Sequence, residues 1–310
     1  MRKLSSYQFT SWIKLEPVKY LIKYIRNYFV AIFYVAKKGK NLDSFLKKCE
    51  YLSGKNIILV IAFEQPWVIE WQLKISKENI KDATVIIFDN SRGQSKKKEI
   101  KSVCHNLNAL YFSLPKNKTL HVNRSHSLAM QWIYENVVKA IKPNIFAFID
   151  HDLIPVKEFS FLDAIKNQDF YGWHRKGLQR KNPDAWYLWA GYCMYSYTKI
   201  KKSNLYFMYD FANGLDTGGG NYDALYNEYD DRDMDFSSVS QVSADIPSIG
   251  VVDDLMLLDD SWYHIGSVGH NDNTKLKKDY VTTLFNKIEK GNSWDDFVVS
   301  SKTIQNKRDS

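Results

Sequence analysis

The sequence NIFAFIDHDLIP at residues 144–155 decides the predicted fold, because a short apolar run leads directly into two carboxylates, Asp150 and Asp152. A run of this length without polar alternation is typical of a strand that is buried on both faces of a sheet. Side chains two residues apart in a strand share a face. We therefore expect both carboxylates to point into one cleft beyond the strand end, where they suit a hard divalent cation such as Mg²⁺ or Mn²⁺.

The sequence before this strand alternates between strand-like and helix-like segments. Short apolar runs predict further strands at residues 56–63, 83–91 and 109–114. Helical patterns separate these runs, and Pro66 marks the first turn of one helix. Such alternation predicts an α/β fold with a Rossmann-like, mixed but mainly parallel sheet and helices on both faces. Ligands of such sheets bind beyond the carboxyl ends of the strands.

Composition and charge limit the classes of partner. The chain has 310 residues, of which 45% are hydrophobic and 25% are charged, enough for one large domain or two small ones. Cys49, Cys104 and Cys193 are far apart in sequence and predict neither a disulfide framework nor a zinc site, so we expect a cytoplasmic protein. The formal net charge of +8 favours anionic partners, which include nucleotide diphosphates, anionic lipids and nucleic acids.

Basic residues surround the segment YLIKYIRNYFVAIFYVA at residues 20–36. Its apolar residues recur near helical spacing, which predicts an amphipathic helix. The apolar run between Arg26 and Lys37 is much shorter than the roughly 20 residues that span a bilayer. Two interpretations stay open: the helix lies on an anionic membrane surface, or it packs on the core with a solvated basic face.

Polar side chains follow two of the predicted strands or begin the next helix. Asp89 and Asn90 close the second strand and should open toward the same crevice as Asp150. Asn123 and Arg124 begin a helix, where backbone N–H groups and a guanidinium suit phosphate or sugar hydroxyls. The alternatives are an Asx-type turn at the strand end and ordinary capping of the helix.

The order of these elements over residues 56–155 resembles the GT-A glycosyltransferases, with Asp-Asn-Ser after a strand, an Asn-Arg helix start and Asp-His-Asp at residues 150–152. The resemblance implies a GT-A-like fold whose Asp-x-Asp motif binds Mn²⁺ or Mg²⁺ and the donor diphosphate. It implies that Asp152 ligates the metal, that Asp150 contacts the metal or the ribose, and that Asp89 contacts the nucleoside. A histidine in the middle position departs from the smaller or apolar residues that are commoner there. A pair of turn or capping aspartates is the alternative.

Aromatic residues are concentrated in the second half of the chain, above all in WYLWAGY at residues 186–192. Aromatic faces pack against the apolar faces of sugars, while nearby polar groups bind hydroxyls. Trp186 and Trp189 are therefore the candidate acceptor-binding residues. Burial of these tryptophans in a core strand is the alternative.

A glycine-rich loop at residues 214–221 carries Asp216, our candidate general base. A sugar hydroxyl is a poor nucleophile until its proton is removed, so a transfer that inverts the anomeric configuration needs such a group. The alternative is a glycine turn capped by Asp216. Asp253 and Asp254 are rival candidates for the base.

A late histidine is expected to complete the metal shell, because neutral imidazole joins carboxylates around Mn²⁺. Several metal-dependent GT-A enzymes use a late histidine in this way. His264 follows a strand-like WYHI sequence and is the first choice, with His270 the second. A histidine that is hydrogen-bonded in a turn is the alternative.

The domain organisation follows from these assignments. Residues 1–53 are expected to form a basic helical segment, residues 54–290 a catalytic domain, and residues 291–310 a polar tail. Within the catalytic domain, residues 54–155 form the nucleotide-binding half and residues 156–290 the acceptor half.

The predicted activity is metal-dependent transfer of a hexosyl group from a nucleotide-diphosphate sugar, with a UDP-sugar as the first donor to consider. The expected acceptor is a hydroxyl of a glycan, a lipid-linked sugar or a protein. An anionic membrane surface is a further candidate partner, and nucleic acid is not. Two alternatives stay open: a metal-dependent nucleotidyltransferase or phosphohydrolase, and a non-catalytic, membrane-associated carbohydrate-binding protein.

Overall fold

The computed structural model describes residue 2 and residues 4–178, 181–266, 268 and 274–305. Its strands are β1 (Asn56–Ala62), β2 (Ala83–Asp89), β3 (Leu110–Ser113), β4 (Ile145–Asp150), β5 (Leu153–Pro155), β6 (Phe170–Lys176), β7 (Trp186–Ser196), β8 (Val239–Ile246), β9 (Gly250–Leu258), β10 (Trp262–His264) and β11 (Val298–Gln305). Its α-helices are α1 (Phe9–Ile13), α2 (Glu16–Val35), α3 (Leu42–Cys49), α4 (Pro66–Asn79), α5 (Gln94–Asn106), α6 (Val122–Ile133), α7 (Lys139–Ile141), α8 (Phe161–Ile165), α9 (Tyr197–Ile200), α10 (Asn221–Ala224) and α11 (Thr274–Glu289). None of the described helices has the length and apolar content that crossing a bilayer requires.

Six strands form the main sheet, in the order β3-β2-β1-β4-β7-β6. The first four run parallel to one another, whereas β7 runs antiparallel to both of its neighbours. The predicted α/β fold with a mixed, mainly parallel sheet is confirmed. The helix predicted to start at Pro66 and the amphipathic helix α2 are also present.

Helices cover both faces of the main sheet, and successive residues of β1 face opposite apolar clusters. Ile57 and Leu59 belong to a cluster with residues of α6, whereas Ile58 and Val60 belong to one with residues of α4 and α5. All residues of β1 are buried. Burial on both faces is the reason that the sequence of this strand shows no polar alternation.

A second sheet of five antiparallel strands has the order β11-β8-β9-β10-β5. The chain passes from β4 in the main sheet to β5 in the second sheet within residues 151–152. Helix α4 packs against both sheets, through Leu73 on one side and Trp71 on the other. The sequence did not predict this sheet, and the polar tail expected at residues 291–310 is corrected by β11, which pairs with β8.

Asp259 connects the two sheets. It follows β9, and its carboxylate accepts hydrogen bonds from the hydroxyls of Tyr171 on β6 and Tyr192 on β7, each at 2.9 Å. The backbone N–H of Ser238 donates to the same carboxylate at 3.0 Å. Both tyrosines are completely buried. A buried hydroxyl that loses its acceptor costs about 1–3 kcal/mol, so this carboxylate stabilises the junction of the sheets.

Replacing Asp259 with alanine is expected to lower the free energy of unfolding by about 2–5 kcal/mol, because two buried hydroxyls lose their acceptor. Asp260→Ala is a matched control. Both residues have a left-handed backbone, with φ of 51° and 53°, but Asp260 pairs at the surface with Lys157. An exposed pair of this kind contributes up to about 1 kcal/mol. Chemical denaturation measures both variants, and equal losses would contradict the assignment.

Candidate functional site

The carboxyl ends of three neighbouring parallel strands meet at one edge of the main sheet. In the strand register, Ala62 at the end of β1 pairs with Asp89 on β2, and Ile61 pairs with Asp150 on β4. A cavity of about 290 Å³ lies at this edge, and we call it the strand-end cavity. Its polar and aromatic lining consists of His126, His151, His264, Asp150, Asp152, Asn90, Arg92, Ser125, Trp189 and Phe63. The cavity therefore lies where doubly wound sheets bind their ligands.

Asp150 and Asp152 both line this cavity, but they do not share a strand face as the sequence spacing predicted. Strand β4 ends at Asp150, and residues 151–152 form a turn before β5 begins. Gln72 holds this turn, because its buried amide donates to the carbonyl of Asp150 at 3.0 Å and to that of Leu153 at 2.9 Å. Asp150 therefore reaches the cavity from the end of β4, and Asp152 reaches it from the turn that follows.

Gly191 allows the carboxylate of Asp150 to lie against β7. A Cβ atom at Gly191 would approach Asp150 Oδ2 and the ring of Trp189, each to 2.5 Å. A contact this short would displace the carboxylate or the indole. The glycine in WYLWAGY thus belongs to the site, although the sequence directed attention to the tryptophans around it.

His264 lies beside Asp152 because β10 pairs with β5, with His264 opposite Leu153. Its Nε2 is 3.7 Å from Asp152 Oδ1. The imidazole also meets the indole of Trp189 edge-on, with ring centroids 5.1 Å apart. His270, the second choice from sequence, lies outside the described residues.

Asp152 and His264 present an oxygen and a nitrogen that are close enough to bind one divalent ion. Two ligands that each lie about 2.1 Å from one ion are at most about 4.2 Å apart. The 3.7 Å between Asp152 Oδ1 and His264 Nε2 satisfies this limit. Over residues 4–178, 181–266 and 274–305, however, no group of three or more His, Cys, Asp or Glu side chains is arranged to hold an ion. Asp150, Asp152 and His264 thus do not form one such group among these residues, and Asp150 Oδ1 lies 3.7 Å from His126 Nε2.

His151, between the two aspartates, presents a nitrogen without a protein partner. Its Nδ1 lies 3.2 Å from the carbonyl oxygen of Ile61. Because a carbonyl only accepts, Nδ1 carries the hydrogen and Nε2 has a free lone pair. That Nε2 is buried, makes no hydrogen bond, and belongs to a ring that lines the strand-end cavity. It can accept a hydrogen bond from a ligand N–H or O–H group.

His126 on α6 is a site residue that the sequence did not single out. Its Nε2 lies 3.7 Å from Asp150 Oδ1. Burial lowers the pKa of His126, and the neighbouring carboxylate of Asp150 opposes that shift. The lowered pKa favours the uncharged imidazole beside the Asp150 carboxylate.

Asp89 and Asn90 occupy different environments at the end of β2. The carboxylate of Asp89 is completely buried and accepts from the Ser91 backbone N–H at 2.8 Å and from the Tyr111 hydroxyl at 2.9 Å. It thus forms the Asx-type turn and does not line the strand-end cavity. Asn90 does line it, with its amide donating to Ser125 Oγ at 3.0 Å.

Arg92, rather than Arg124, lines the cavity, and its guanidinium donates to the carbonyl of Thr119 at 2.6 Å. Glu64 accepts from the backbone N–H groups of Arg92 and Gly93, at 2.6 and 2.9 Å, and so fixes the turn that presents Arg92. Arg124 does not line the cavity, and its Nε donates to the Tyr209 hydroxyl at 3.0 Å. The sequence could have indicated Arg92, because it lies shortly after the strand that ends in Asp89. Ligands of doubly wound sheets bind beyond the carboxyl ends of such strands.

The two candidate acceptor-binding tryptophans point to opposite faces of β7, because they are three residues apart in a strand. Trp189 lines the strand-end cavity. Trp186 is 3% exposed and stacks on Tyr226 inside the core. Trp186 is therefore corrected to a core residue, and the alternation of strand side chains gives the physical reason.

The three candidate bases, Asp216, Asp253 and Asp254, lie outside the lining of the strand-end cavity. Asp216 is exposed, and its Oδ1 accepts from Asn123 Nδ2 at 2.7 Å and from the Thr217 backbone N–H at 2.8 Å. It therefore adjoins the start of α6, the helix that carries His126. Asp254 is exposed in an irregular part of the β8–β9 pair, has a left-handed backbone, and accepts from Gln241.

No protein-family model and no curated protein matches the chain. Among solved structures, it is similar to TarS from S. aureus, with 16% identity over 49% of this chain and a TM-score of 0.33. It is also similar to the bifunctional glycosyltransferase WbbM, with 13% identity over 49% of this chain and a TM-score of 0.35. A third is the mannosyltransferase PcManGT from Pyrobaculum calidifontis in complex with GDP-Man and Mn²⁺, with 10% identity over 59% and a TM-score of 0.35. The chain spans 30%, 33% and 56% of their respective lengths, and TM-scores this low do not assign it to a family.

Proposed function

We propose that the protein is a metal-dependent glycosyltransferase of the GT-A type, which moves a sugar from a nucleotide-diphosphate donor to a hydroxyl acceptor. The observation that carries the proposal is the meeting of Asp152 and His264 in one cavity with Arg92, beyond the carboxyl ends of parallel strands. A carboxylate and an imidazole suit Mn²⁺, and a guanidinium suits phosphate. This combination fits a donor that carries both a diphosphate and a metal.

Asp152 and His264 are the two residues that would hold the ion. Two protein ligands leave positions for phosphate oxygens and water, as is usual for Mg²⁺ sites that act on nucleotides. A bound divalent ion would supply Lewis-acid stabilisation of the departing diphosphate. Asp150 lies 3.7 Å from His126 and would position the donor or a metal-bound water rather than act as a third direct ligand.

Residues that line the strand-end cavity would bind the donor. Arg92 would pair with the diphosphate, since its turn is held by Glu64. Asn90 and the free lone pair of His151 Nε2 would bind hydroxyl or N–H groups of the ribose or base. Asp89 would not touch the nucleoside itself. Its carboxylate accepts from the Ser91 backbone N–H and so holds the turn that carries Asn90, which would make the contact.

The acceptor side rests on Trp189 and Asp216. The indole of Trp189 lines the cavity and would pack against the apolar face of a sugar. In a direct displacement, the acceptor oxygen forms a bond to the anomeric carbon while the bond to the donor phosphate breaks. The acceptor proton then passes to a general base, and the nucleoside diphosphate leaves with the electron pair. Asp216 is the proposed base because it adjoins α6, which also lines the cavity.

A metal-dependent nucleotidyltransferase or phosphohydrolase is the competing enzyme class, since it would also use paired carboxylates. The products distinguish the classes: glycosyl transfer releases an intact nucleoside diphosphate, whereas nucleotidyl transfer breaks the diphosphate. A protein that binds carbohydrate without catalysis would release neither product.

Asp152→Asn is expected to abolish the Mn²⁺-dependent stabilisation of the protein by its donor. A ligand at a hundred times its Kd stabilises the folded state by about 2.7 kcal/mol, so thermal melting measures binding directly. Sugars of UDP, GDP, CMP and dTDP would be compared with and without Mn²⁺, starting with UDP-sugars. The control is Asp43→Asn, which removes an exposed carboxylate on α3. A Mn²⁺-dependent shift that survives in Asp152→Asn would contradict the metal assignment.

Asp216→Asn is expected to lower turnover by about a hundredfold or more while leaving donor affinity unchanged, because a general base acts on the acceptor proton. The substitution keeps Oδ1, which accepts from Asn123 and Thr217, so the local hydrogen bonds persist. Asp254→Asn is the matched variant at the rival position. A loss of turnover confined to Asp254→Asn would transfer the role of base to that residue.

A further inference from the structure

The outer face of α2 exposes a continuous apolar stripe. Of the large apolar side chains that are exposed in the described residues, more than half lie within the first 33 positions. On α2 the most exposed are Phe33 (70%), Ile22 (61%) and Phe29 (52%), with Ile25 and Val18 on the same side of the helix. Contiguous apolar patches of this kind mark surfaces that bind another molecule or a membrane.

The inner face of α2 is fixed to the protein, so the stripe cannot turn inward. Ala31 and Tyr34 are buried, and the Tyr34 hydroxyl donates to the carbonyl of Pro115 at 2.8 Å. At the end of the helix, the Asn136 amide donates to the carbonyl of Val35 at 3.2 Å. These contacts orient the apolar stripe outward in the folded protein.

The charge of the chain is concentrated around this helix. Residues 1–40 contain nine Lys or Arg and one acidic residue, so their net charge of +8 equals that of the whole chain. Residues 41–310 therefore contain basic and acidic residues in equal number. Lys19, Lys23 and Arg26 follow one another along α2 at helical spacing, beside the apolar stripe.

A basic groove of about 1290 Å³ begins where α2 ends. Nine lysines and no acidic residue occur among the described residues that line it. Lys37 and Lys38 follow the end of α2, and Lys97 and Lys101 lie on α5. The positive potential thus extends from the apolar stripe onto the body of the protein.

We propose that α2 lies in the surface of an anionic lipid bilayer, with its apolar stripe among the acyl chains and its lysines and arginine at the headgroups. A helix with an exposed apolar face and basic flanks binds in this way, and each basic residue near an anionic surface contributes about 1 kcal/mol. Charge complementarity favours lipid over a second copy of the chain, because two such faces would bring like charges together. A soluble polyanion would leave the stripe exposed to water.

Helix α6 connects the proposed membrane-binding helix with the strand-end cavity. Helix α2 packs against α6, and the first turns of α6 carry Ser125 and His126 to the strand-end cavity. Helix α6, which is about 18 Å long, therefore connects the cavity with the helix that carries the proposed membrane face. A membrane-linked acceptor is the corresponding substrate class. This last step rests on the proposed function, whereas binding to lipid does not.

Flotation of the full chain with vesicles tests the proposal without donor or acceptor. Binding is expected with vesicles of phosphatidylglycerol and phosphatidylcholine, and at least tenfold weaker binding with phosphatidylcholine alone. The variant Ile22→Asp/Phe29→Asp/Phe33→Asp is expected to lose at least tenfold in binding. The matched control is Val251→Asp/Val299→Asp/Ile304→Asp, which alters equally exposed apolar residues on the second sheet. A second variant, Lys19→Gln/Lys23→Gln/Arg26→Gln, should lose its preference for the anionic lipid.

Three results would overturn the proposal. The natural chain could fail to float with anionic vesicles, or the α2 variant could bind as well as the control variant. Light scattering could also show a dimer that the α2 variant dissociates, which would assign the face to a second copy. Thermal melting shows whether each variant is folded. If the triple aspartate variant of α2 does not fold, the variant Lys19→Gln/Lys23→Gln/Arg26→Gln still tests the proposal.

Discussion

The two hydrogen bonds that Gln72 donates to the carbonyls of Asp150 and Leu153 support the arrangement on which the site depends. Between these carbonyls the chain leaves the main sheet and enters the second sheet, and this passage places His151 and Asp152 in a turn directly after Asp150. The same passage puts β5 beside β10, which brings His264 to Asp152. The candidate metal pair thus follows from the joining of two sheets and not from the Asp-His-Asp spacing alone.

The rest of the site depends on close packing at this junction. Helix α4 supplies Gln72 to the turn and apolar residues to both sheets. Asp259 connects the sheets through two buried tyrosine hydroxyls, and Gly191 leaves space for the carboxylate of Asp150 beside Trp189. Buried polar groups stabilise a fold only when their partners are in place, so these contacts make the position of β10 relative to β4 specific.

The sequence predicted the parts of the fold whose signals are local. The apolar strands, the helix at Pro66, and the meeting of strand ends all follow from side-chain periodicity and the rules of doubly wound sheets. The second sheet was missed in part because β5 pairs with β10, and β8 with β11, across long stretches of sequence, although β8, β9 and β10 follow one another along the chain. Trp186 was assigned to the site because its type was weighed without its strand parity, and Arg92 was missed although it follows a strand end. The contacts of Gln72 and Gly191 are tertiary, and no local pattern indicates them.

The central claim is that Asp152 and His264 together hold the divalent ion that accompanies the donor diphosphate. Anomalous diffraction near the manganese absorption edge, from crystals that contain Mn²⁺ and a nucleoside diphosphate, tests this claim most directly. The account predicts one strong anomalous peak within about 2.3 Å of both Asp152 Oδ1 and His264 Nε2, since small divalent ions bind their oxygen ligands at slightly more than 2 Å. A peak elsewhere, with nucleoside diphosphate bound but neither side chain coordinating the ion, would contradict the account.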